Sequence, residues 1–300
     1  MAAETAGGYR AGFVVLGGRS NVGKSTLLNR LVGHKVAIVT PRPQTTRARI
    51  LGVRTDPGAQ FLILDTPGLH DSPKELNRRM VENARRALSE GEVVLAVVEA
   101  AARLDRRDAA ALAELAQLGV PMVIVINKVD TQPRENLLPL IGQIHLEYPG
   151  AEIVPISALR GENIEELVRT VRAMLPESPP LMPEDEYTDQ TERMLAAEVI
   201  REKIFLTMRQ EVPFSSAVRI ETFSDEAERN LKHIAAVIAV ERESHKGMLI
   251  GAGGQTLKRI GTAARLELEP MLGARVFLEL LVKVVPNWTR DPRRMTEFGL

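Results

Sequence analysis

The sequence predicts an α/β domain with a doubly wound, mostly parallel sheet, followed by a smaller α+β domain. From about residue 11 to residue 175, short apolar runs alternate with helical patterns, as they do in doubly wound layers. Residues 176–188 contain four prolines and four acidic residues, which predicts an extended, semi-rigid linker. We therefore expect one domain at residues 1–175 and another at residues 189–300.

The apolar runs of the first domain predict strands that are buried on both faces, as parallel strands covered by helices are. They lie at 13–16, 61–64, 93–98, 122–126 and 153–156. Helical patterns lie at 24–32, 74–90, 106–118, 134–147 and 162–175. Residues 47–54 alternate polar and apolar side chains instead, which predicts a half-exposed antiparallel strand at the edge of the sheet.

The second domain shows a different order of elements. The patterns predict a helix at 191–209, strands at 215–222 and 234–241, a helical segment that leads into 249–254, a helix at 255–268 and a long strand at 275–285. Strands and helices no longer alternate one by one, so this part is expected to be a small α+β domain rather than a second doubly wound layer.

The composition bounds the class of protein. With 44% hydrophobic and 26% charged residues the chain resembles an ordinary soluble globular protein, and no apolar run is long enough to span a bilayer. Residues 1–10 do not form a signal peptide, so a cytoplasmic location is the expectation. Cysteine is absent, which excludes disulfides and thiolate metal sites. Because 39 basic residues balance 39 acidic ones, any nucleic-acid site must be local.

Residues 18–25 have the spacing G-x-x-x-x-G-K-S between a strand and a helix, which is the context of a phosphate-binding loop. Gly18 and Gly23 let the backbone turn several N–H groups toward one anion, and the following helix adds the positive end of its dipole. Lys24 would reach the β and γ phosphates, and the Ser25 hydroxyl would bind Mg²⁺. The alternative is a glycine-rich turn that binds nothing.

Two more signals concern the metal and the γ-phosphate. D-T-P-G follows the strand at 61–64, where Asp65 would reach Mg²⁺ through water and the Gly68 N–H would contact the γ-phosphate. Alone, this motif also fits a plain turn. The loop at 43–47 contains threonines, one of which would add its hydroxyl to Mg²⁺ while a γ-phosphate is present. The alternative for that loop is an exposed polar segment.

The motif N-K-V-D follows the strand at 122–126 and indicates a guanine nucleotide, GTP or GDP. The carboxylate of Asp130 can accept hydrogen bonds from both N1–H and N2–H₂ of guanine, a pair of donors that adenine lacks, while Asn127 suits the acceptor edge of the base. Ser157 and Ala158 follow the last strand and would present backbone N–H groups to the base O6. That dipeptide is informative only by its position.

Together these segments resemble the five G motifs of the Era family, bacterial GTPases with a C-terminal RNA-binding KH domain. The matching segments are 18–25, 44–47, 65–70, 127–130 and 157–159, and the resemblance covers about residue 10 to residue 290. It implies that Thr46, which directly precedes Arg47, is the metal-sensing threonine, with Thr45 as the less favoured choice. Ser20 departs from the family, where proline is commoner.

The resemblance also implies the contacts with the nucleotide and the metal. The metal ligands would be Ser25, Thr46 and, through water, Asp65. The implied nucleotide contacts are Gly18, Asn21, Val22, Gly23, Lys24, Ser25, Thr26, Asp65, Gly68, Asn127, Lys128, Asp130, Ser157 and Ala158.

Leu69 stands where Ras-type enzymes carry a water-orienting glutamine. Because leucine offers no hydrogen bond, we expect slow intrinsic hydrolysis, with Lys24, Thr46, Gly68 and Asn21 as the catalytic groups. In related GTPases the asparagine at the position of Asn21 helps to coordinate K⁺, which makes K⁺ dependence one hypothesis. The other hypothesis is that Asn21 only bonds to the backbone of its own loop.

In the second domain, Ile250 to Gly254 and the residues after them have the form I-G-x-x-G, the signature of a KH domain. Such a loop clamps a single-stranded backbone through its N–H groups. Alone, the motif also fits a helix-helix turn. The order helix-strand-strand-helix-helix-strand resembles the type II KH arrangement.

Charge supports an RNA site in this part of the chain. Residues 245–300 hold nine lysines and arginines against five acidic residues, whereas 176–244 hold eight against fifteen. Ala252 stands where the family often has lysine, so one phosphate contact is lost. The candidate RNA-binding residues are Lys246, Ile250, Gly251, Ala252, Gly253, Gly254, Lys258 and Arg259.

The resemblance implies a monomer that binds the 3′ end of 16S rRNA and acts in maturation of the small ribosomal subunit, with peripheral contact at the cell membrane. One rival is a membrane-associated signalling GTPase whose basic C-terminal region binds anionic lipid. Another is an RNA-binding scaffold whose nucleotide is never hydrolysed. Trp288 would either stack on a base or pack inside the domain. The five histidines show no ligand spacing, so no metal beyond Mg²⁺ is expected.

Overall fold

The structure is a computed structural model, and it describes residues 8–42, 45–67 and 91–298. Its contacts divide the chain into two compact units. Residues 8–37, 46–67 and 91–189 form the first, and residues 38–42, 45 and 190–298 form the second. The predicted helix at 74–90 and the predicted site residues Gly68 and Leu69 lie outside the described residues, as do positions 43 and 44 of the threonine-containing loop.

The first unit contains a six-stranded sheet with helices on both faces. Its elements are β1 (Arg10–Gly17), α1 (Lys24–Val32), β2 (Ile50–Asp56), β3 (Ala59–Asp65), β4 (Val93–Glu99), α2 (Arg106–Ala116), β5 (Met122–Asn127), α3 (Leu137–Glu147), β6 (Glu152–Pro155) and α4 (Ile164–Met174). The strand order is β2-β3-β1-β4-β5-β6, and only β2 runs antiparallel to its neighbour. The predicted doubly wound, mostly parallel sheet is confirmed.

Alternate side chains of the central strands fill two cores, one on each face of the sheet. Leu16 and Leu95 face the core that α1 and α4 cover, whereas Val15 and Val94 face the core that α2 and α3 cover. Each such buried side chain contributes about 2 kcal/mol to the free energy of unfolding. The sheet reverses its order at β1, so the loops after β1, β3 and β5 meet at the carboxyl ends where such folds bind ligands.

The edge strand differs from the prediction. The pattern at 47–54 predicts a half-exposed strand, but β2 begins at Ile50 and its first four residues are buried. The reason is that the predicted linker, 176–188, packs against the first unit, where the Val53 N–H donates to the Tyr187 carbonyl at 2.9 Å. The proline-rich segment thus covers a sheet edge, which would otherwise present unpaired backbone groups.

The second unit has the order of elements that the sequence predicts. It contains α5 (Glu192–Thr207), β7 (Ser216–Glu226), β8 (Leu231–Val240), α6 (Glu243–Ile250), α7 (Gln255–Leu272) and β9 (Arg275–Val284). In its sheet, β8 lies between β7, which is antiparallel to it, and β9, which is parallel. Side chains spaced by four residues on α5 and α7, such as Ile200 with Ile204 and Ile260 with Ala264, form one core with the sheet.

The end of the chain adds a short helix that the sequence does not predict, α8 (Pro292–Glu297). Asp291 caps it by accepting the Arg293 N–H at 3.0 Å. Trp288 is fully buried and donates its indole N–H to the Ser215 carbonyl at 2.9 Å. Of the two predictions for Trp288, packing inside the domain is the one the structure shows.

The segment 38–45 also groups with the second unit, although the predicted boundaries assign it to residues 1–175. Two buried residues of α5 hold it there. The Val39 N–H donates to Glu202 Oε1 at 2.9 Å, and Arg201 donates to the Thr45 carbonyl at 2.6 Å. Charged side chains at this depth need such partners, and the backbone of the segment supplies them.

No helix among the described residues is both long and apolar enough to cross a membrane.

Candidate functional site

The loop between β1 and α1 has a backbone that only glycine can adopt at two points. Gly18 has φ 131° and Gly23 has φ 100°, both in the region that side chains avoid. A Cβ atom on Gly18 would lie 2.3 Å from the Val97 carbonyl oxygen, and one on Gly23 would lie 2.3 Å from Asn127 Nδ2. The loop is therefore enclosed by β4 on one side and by the N-K-V-D segment on the other.

Lys24 is buried at the start of α1, with 6% of its surface exposed. Its Nζ donates to the Gly18 carbonyl at 2.9 Å and to the Arg19 carbonyl at 2.7 Å. Burial lowers the pKa of Lys24 to about 8, and the nearby carboxylate of Asp65 opposes this shift. The loop thus holds an ammonium group that donates to two neutral carbonyls, which suits it to a phosphate ligand.

Asp65 brings two hydroxyl groups together at the end of β3. Its Oδ2 accepts from Ser25 Oγ at 2.6 Å and from Thr46 Oγ1 at 3.1 Å, and the two hydroxyl oxygens are 3.0 Å apart. Its Oδ1 is buried and has no hydrogen-bond partner among the described residues. Burial raises the pKa of Asp65, and Lys24 opposes the shift. Two hydroxyls and a carboxylate in this arrangement are a donor set that fits Mg²⁺.

The structure separates the two threonines between which the sequence leaves a choice. Thr46 contacts Ser25 and Asp65, as described above, whereas Thr45 belongs to the second unit. There the Thr45 hydroxyl donates to the Arg42 carbonyl at 2.8 Å. Thr46 is therefore the threonine that the fold places beside the candidate metal ligands.

Asn127 lies between two loops of the site, and its predicted contact with the acceptor edge of the base stays a prediction. Its side chain is buried; Nδ2 donates to the Val22 carbonyl at 2.9 Å, and Oδ1 accepts the Ala158 N–H at 3.0 Å. A buried amide has two N–H donors and one acceptor oxygen, and the two loops provide a partner for one donor and for the acceptor. Asn127 thereby ties the phosphate loop to the loop after β6.

This contact also changes the expected role of two backbone N–H groups. The sequence predicts that Ser157 and Ala158 present them to the base O6, but the Ser157 N–H donates to the Glu162 carbonyl at 3.2 Å and the Ala158 N–H is taken by Asn127. The Ser157 hydroxyl instead donates to Asp130 Oδ1 at 2.7 Å. Ser157 therefore orients the carboxylate expected to read guanine.

Asp130 has a second neighbour that sequence reasoning misses. The Nε of Arg160 lies 3.4 Å from Asp130 Oδ2, and the Asp130 side chain is mostly buried. Lys128, in the same motif, has a left-handed backbone with φ 66° and pairs with Glu99 at 2.8 Å. Asp130 is thus a fixed carboxylate at the edge of the site, as the recognition of two neighbouring donors requires.

Three other predicted nucleotide contacts lie in the loop between β1 and α1 or at the start of α1. Asn21 is left-handed, with φ 67°, and is exposed, whereas Val22 is buried. Thr26 lies in the first turn of α1. Gly68 is outside the described residues, so its predicted contact stays a prediction.

The glycine-rich loop of the second unit joins α6 to α7 and is open. Gly251, Gly253 and Gly254 have φ of 72°, 55° and 78°. A Cβ atom on Gly251 would lie 2.2 Å from Thr256 Oγ1, but one on Gly253 or Gly254 would meet no atom within 4 Å. Ala252 and Gly253 are exposed. The loop can therefore be approached directly by a large ligand.

A groove of about 390 Å³ begins at this loop and runs between α7 and β9. Its lining residues are Gly254, Leu257, Lys258, Gly261, Thr262, Arg265, Leu278 and Leu280. Gly261 permits the close approach of α7 to β9, since a Cβ atom there would lie 3.3 Å from Leu280 Cδ1. The groove combines an apolar floor with cations at its rim, an arrangement suited to bases and a phosphate backbone.

Most residues of this groove are missed by sequence reasoning. The predicted cations Lys258 and Arg259 are exposed, and Lys246 and Ile250 are half-buried on α6. The groove residues of α7 recur with helical spacing from Gly254 to Arg265, so the periodicity of that helix is the signal that would have found them.

Comparisons with known proteins place both units in described families. A family model described as 50S ribosome-binding GTPase matches residues 13–128, and a KH domain model matches residues 211–289. The chain is 46% identical to GTPase Era of Syntrophus aciditrophicus (strain SB) over 291 residues, which cover 97% of this chain and 95% of that protein. It is 47% identical to GTPase Era of Aquifex aeolicus (strain VF5) over 297 residues, with coverage of 97% and 99%.

Two solved structures are similar over nearly the whole chain. A crystal structure of an Aquifex aeolicus Era variant bound to GDP·AlF4⁻ matches with a TM-score of 0.92 and 46% identity, covering 97% of this chain and 99% of that one. A crystal structure of Era in complex with MgGDPNP and nucleotides 1506–1542 of 16S ribosomal RNA matches with a TM-score of 0.92 and 47% identity, covering 97% and 98%.

Proposed function

Since the chain belongs to the Era family of GTPases, we propose that it hydrolyses GTP at the loop of residues 18–25 and binds single-stranded RNA at the loop of residues 250–254. The observation that supports the first part best is the set of Ser25, Thr46 and Asp65, with one buried carboxylate oxygen left for a further partner. We assign the GTPase domain to residues 1–175 and the RNA-binding domain to residues 189–300.

The phosphate loop would bind the nucleotide through the ammonium group of Lys24, which the loop already holds in place. On nucleotide binding, Lys24 would transfer its hydrogen bonds from the carbonyls of its own loop to the β and γ phosphates. Ser25, Thr46 and, through water, Asp65 would hold Mg²⁺. When bound, Mg²⁺ offsets the charge that develops on the phosphate oxygens. Thr46 would add its hydroxyl to Mg²⁺ while a γ-phosphate is present and release the metal when the phosphate is gone, so its loop would respond to the state of the nucleotide.

Guanine is read by one fixed carboxylate. Asp130 accepts the two donors of the base, with Ser157 orienting it, while Asn127 holds together the two loops that flank the base. The catalytic groups we propose are Lys24, Thr46, Gly68 and Asn21. The absence of a side-chain donor at Leu69 is consistent with slow hydrolysis.

A K⁺ ion beside the phosphates is a proposal that concerns Asn21. The left-handed backbone of this residue places it at the turn of the loop, where its side-chain oxygen can serve as a ligand. Hydrolysis measured in KCl and in NaCl at matched ionic strength tests this. A faster rate in KCl supports the K⁺ site, and equal rates leave Asn21 with only its contacts inside the loop.

The RNA site uses the open loop between α6 and α7. Ala252 and Gly253 are exposed at its tip, where backbone N–H groups would clamp the phosphates of a single strand, and bases would enter the groove between α7 and β9. By its similarity to the Era complex with nucleotides 1506–1542 of 16S ribosomal RNA, we propose the 3′ end of that RNA as target and maturation of the small ribosomal subunit as setting. A monomer in the cytoplasm, with peripheral membrane contact, is the form we propose.

A single-turnover experiment tests this function. Radiolabelled GTP is incubated with excess protein and Mg²⁺, with and without a saturating fragment of the 3′ end of 16S rRNA, and phosphate release is followed. Release that the fragment alters supports a GTPase linked to RNA. No release under either condition would mean a scaffold without turnover. Retention on anionic liposomes without RNA retention would favour the membrane-associated rival.

A further inference from the structure

One side chain of the phosphate loop points away from the site and joins the loop to a helix far along the chain. Arg19 Nη1 lies 2.6 Å from Asp105 Oδ2 and 3.2 Å from Asp108 Oδ1. Asp105 is the N-cap of α2, where its Oδ1 accepts the N–H groups of Arg107 and Asp108, each at 2.7 Å. A single guanidinium nitrogen therefore connects the second residue of the loop to the first turn of α2.

The buried carboxylate of Asp108 distinguishes this cluster from an ordinary surface ion pair, while the side chain of Asp105 is 54% exposed. The Asp108 side chain is 8% exposed and that of Arg19 is 27% exposed. Burial raises the pKa of Asp108, and the charge of Arg19 opposes that shift. Exposed ion pairs contribute little to stability, but a carboxylate at this depth needs its partner to remain charged. Arg19 thus offsets the charge of the buried Asp108, while its hydrogen bond goes to Asp105 at 2.6 Å.

The backbone of the same residue takes part in the site. The Arg19 carbonyl accepts from Lys24 Nζ at 2.7 Å, next to the Gly18 carbonyl at 2.9 Å. The side chain of Arg19 holds α2 while its carbonyl holds the ammonium group that is to reach the phosphates. Releasing the side chain would let this peptide rotate, and Lys24 would lose a fixed starting position.

We propose that Arg19, through Asp105 and Asp108, is a positioning residue that keeps the phosphate loop ordered for nucleotide binding; this rests on the proposed nucleotide site. Without this anchor, nucleotide binding has to order the loop as well as fill it, and that ordering weakens the affinity. The side chain of Arg19 faces α2 and not Lys24, so the loss falls on binding more than on the chemical step. KM should rise while kcat changes little.

The variant Asp108→Asn tests the proposal, because the two explanations predict opposite changes in GDP affinity. It removes a negative charge near a phosphate site, so electrostatics alone predicts tighter GDP binding. The loss of the anchor predicts the opposite: a GDP dissociation constant and dissociation rate raised about five-fold. Asp108 is chosen because the helix-capping oxygen of Asp105 stays intact. The measurement is stopped-flow release of fluorescent GDP, with GTP hydrolysis rates for kcat and KM.

The companion variants complete a double-mutant cycle. Arg19→Gln should weaken GDP binding by about ten-fold, Arg19→Lys by less, and Arg19→Gln with Asp108→Asn no more than Arg19→Gln alone. Arg107→Gln is the control, because it removes one positive charge from an exposed position in the same turn. A fall in the active fraction through misfolding would lower kcat and leave KM unchanged, so the KM readout separates it from loss of the anchor.

The proposal is overturned if Asp108→Asn binds GDP as tightly as the unmodified protein or more tightly, or if the two substitutions add independently. Failure of the proposed nucleotide site looks different, since the unmodified protein would then fail to bind fluorescent GDP at all.

Discussion

Two glycine-rich loops in this chain have the same local design and opposite surroundings. Each ends in a left-handed glycine that begins a helix: Gly23 before α1, with φ 100°, and Gly254 before α7, with φ 78°. A Cβ atom at Gly23 would lie 2.3 Å from a neighbouring side chain, whereas one at Gly254 would meet no atom within 4 Å. The first loop encloses a small ligand, and the second leaves room for a polymer to pass.

Charge follows the same division. The first loop relies on one buried lysine, Lys24, held by two carbonyls. The second has Lys258 and Arg259, which are exposed, and Lys246, which is half-buried. A single substitution should therefore abolish function at the first loop, while effects at the second should be graded and dependent on salt.

The largest effect is expected from Gly23→Ala. The new Cβ would displace Asn127 and force a positive φ on alanine, a combined cost of about 3 kcal/mol, so nucleotide affinity should fall about 100-fold or more. Equilibrium titration with fluorescent GDP measures it. Gly33→Ala is the matched control, since Gly33 also has a positive φ but a Cβ there meets no atom within 4 Å. If both variants bind alike, enclosure of the first loop is not what matters.

A smaller but still large effect is expected from Gly253→Asp combined with Gly254→Asp. The space around both positions is open, and the strain of a side chain at positive φ is shared by the control below, whereas two carboxylates at the loop repel the RNA backbone and lower its affinity by about 30-fold. Fluorescence anisotropy with a single-stranded RNA measures this. Gly273→Asp, at a left-handed glycine that ends α7, is the control. GDP binding in the absence of RNA should be unchanged, and a loss of GDP binding there would show that the substitutions disturb the first unit as well.

The pH dependence of nucleotide binding sharpens the contrast between a buried and an exposed cation. The pKa of Lys24 is about 8, and a phosphate ligand favours its charged form, so binding takes up a proton above that pH. GDP affinity should therefore fall by about ten-fold per pH unit above about pH 8. Isothermal titration in buffers of different ionisation enthalpy detects the proton directly.

The variant Lys24→Met separates this effect from titration of the guanine base itself, because the base remains and the lysine does not. Its weaker affinity should be flat over about pH 7 to 9. An equal pH dependence in both proteins would show that Lys24 is already charged throughout.

The smallest effect is a gain at the second loop. Ala252→Lys places a cation on an exposed position between two glycines. It should tighten RNA binding about three-fold and steepen the slope of log affinity against log salt concentration by about 0.7. Binding measured over a series of salt concentrations gives both numbers. Ala110→Lys, at an exposed position of α2, controls for net charge. Identical salt slopes for the two variants would argue against a phosphate contact at position 252.

Local patterns in the sequence predict the parts of the molecule that local physics determines. The strands buried on both faces are continuous apolar runs, so their positions follow from the sequence. Both glycine-rich loops are defined by spacings of a few residues, so their positions and the classes of ligand they bind follow from the sequence as well. The guanine-reading Asp130 is predicted in the same way. The hydrogen bond between Asp130 and Ser157 is not predicted, because it depends on how β5 and β6 pair.

What the sequence misses depends on contacts between distant residues. Arg19 meets Asp105 across 86 positions, and no spacing rule connects them. The amide of Asn127 also connects two loops, by bonds to Val22 and Ala158, and this link between distant segments is not predicted. The segment 176–188 reads as a linker from its prolines, but its carbonyls complete the edge of a sheet. In each case the fold determines which distant residue becomes the hydrogen-bond partner.

We propose in addition that the nucleotide held by the loop of residues 18–25 sets the affinity of the loop of residues 250–254 for RNA. The most direct test is the affinity of a fragment of the 3′ end of 16S rRNA, measured with a non-hydrolysable GTP analogue and with GDP. The account predicts that the two dissociation constants differ by about five-fold or more and that Gly23→Ala removes the difference. Equal dissociation constants with both nucleotides in the unmodified protein would contradict it.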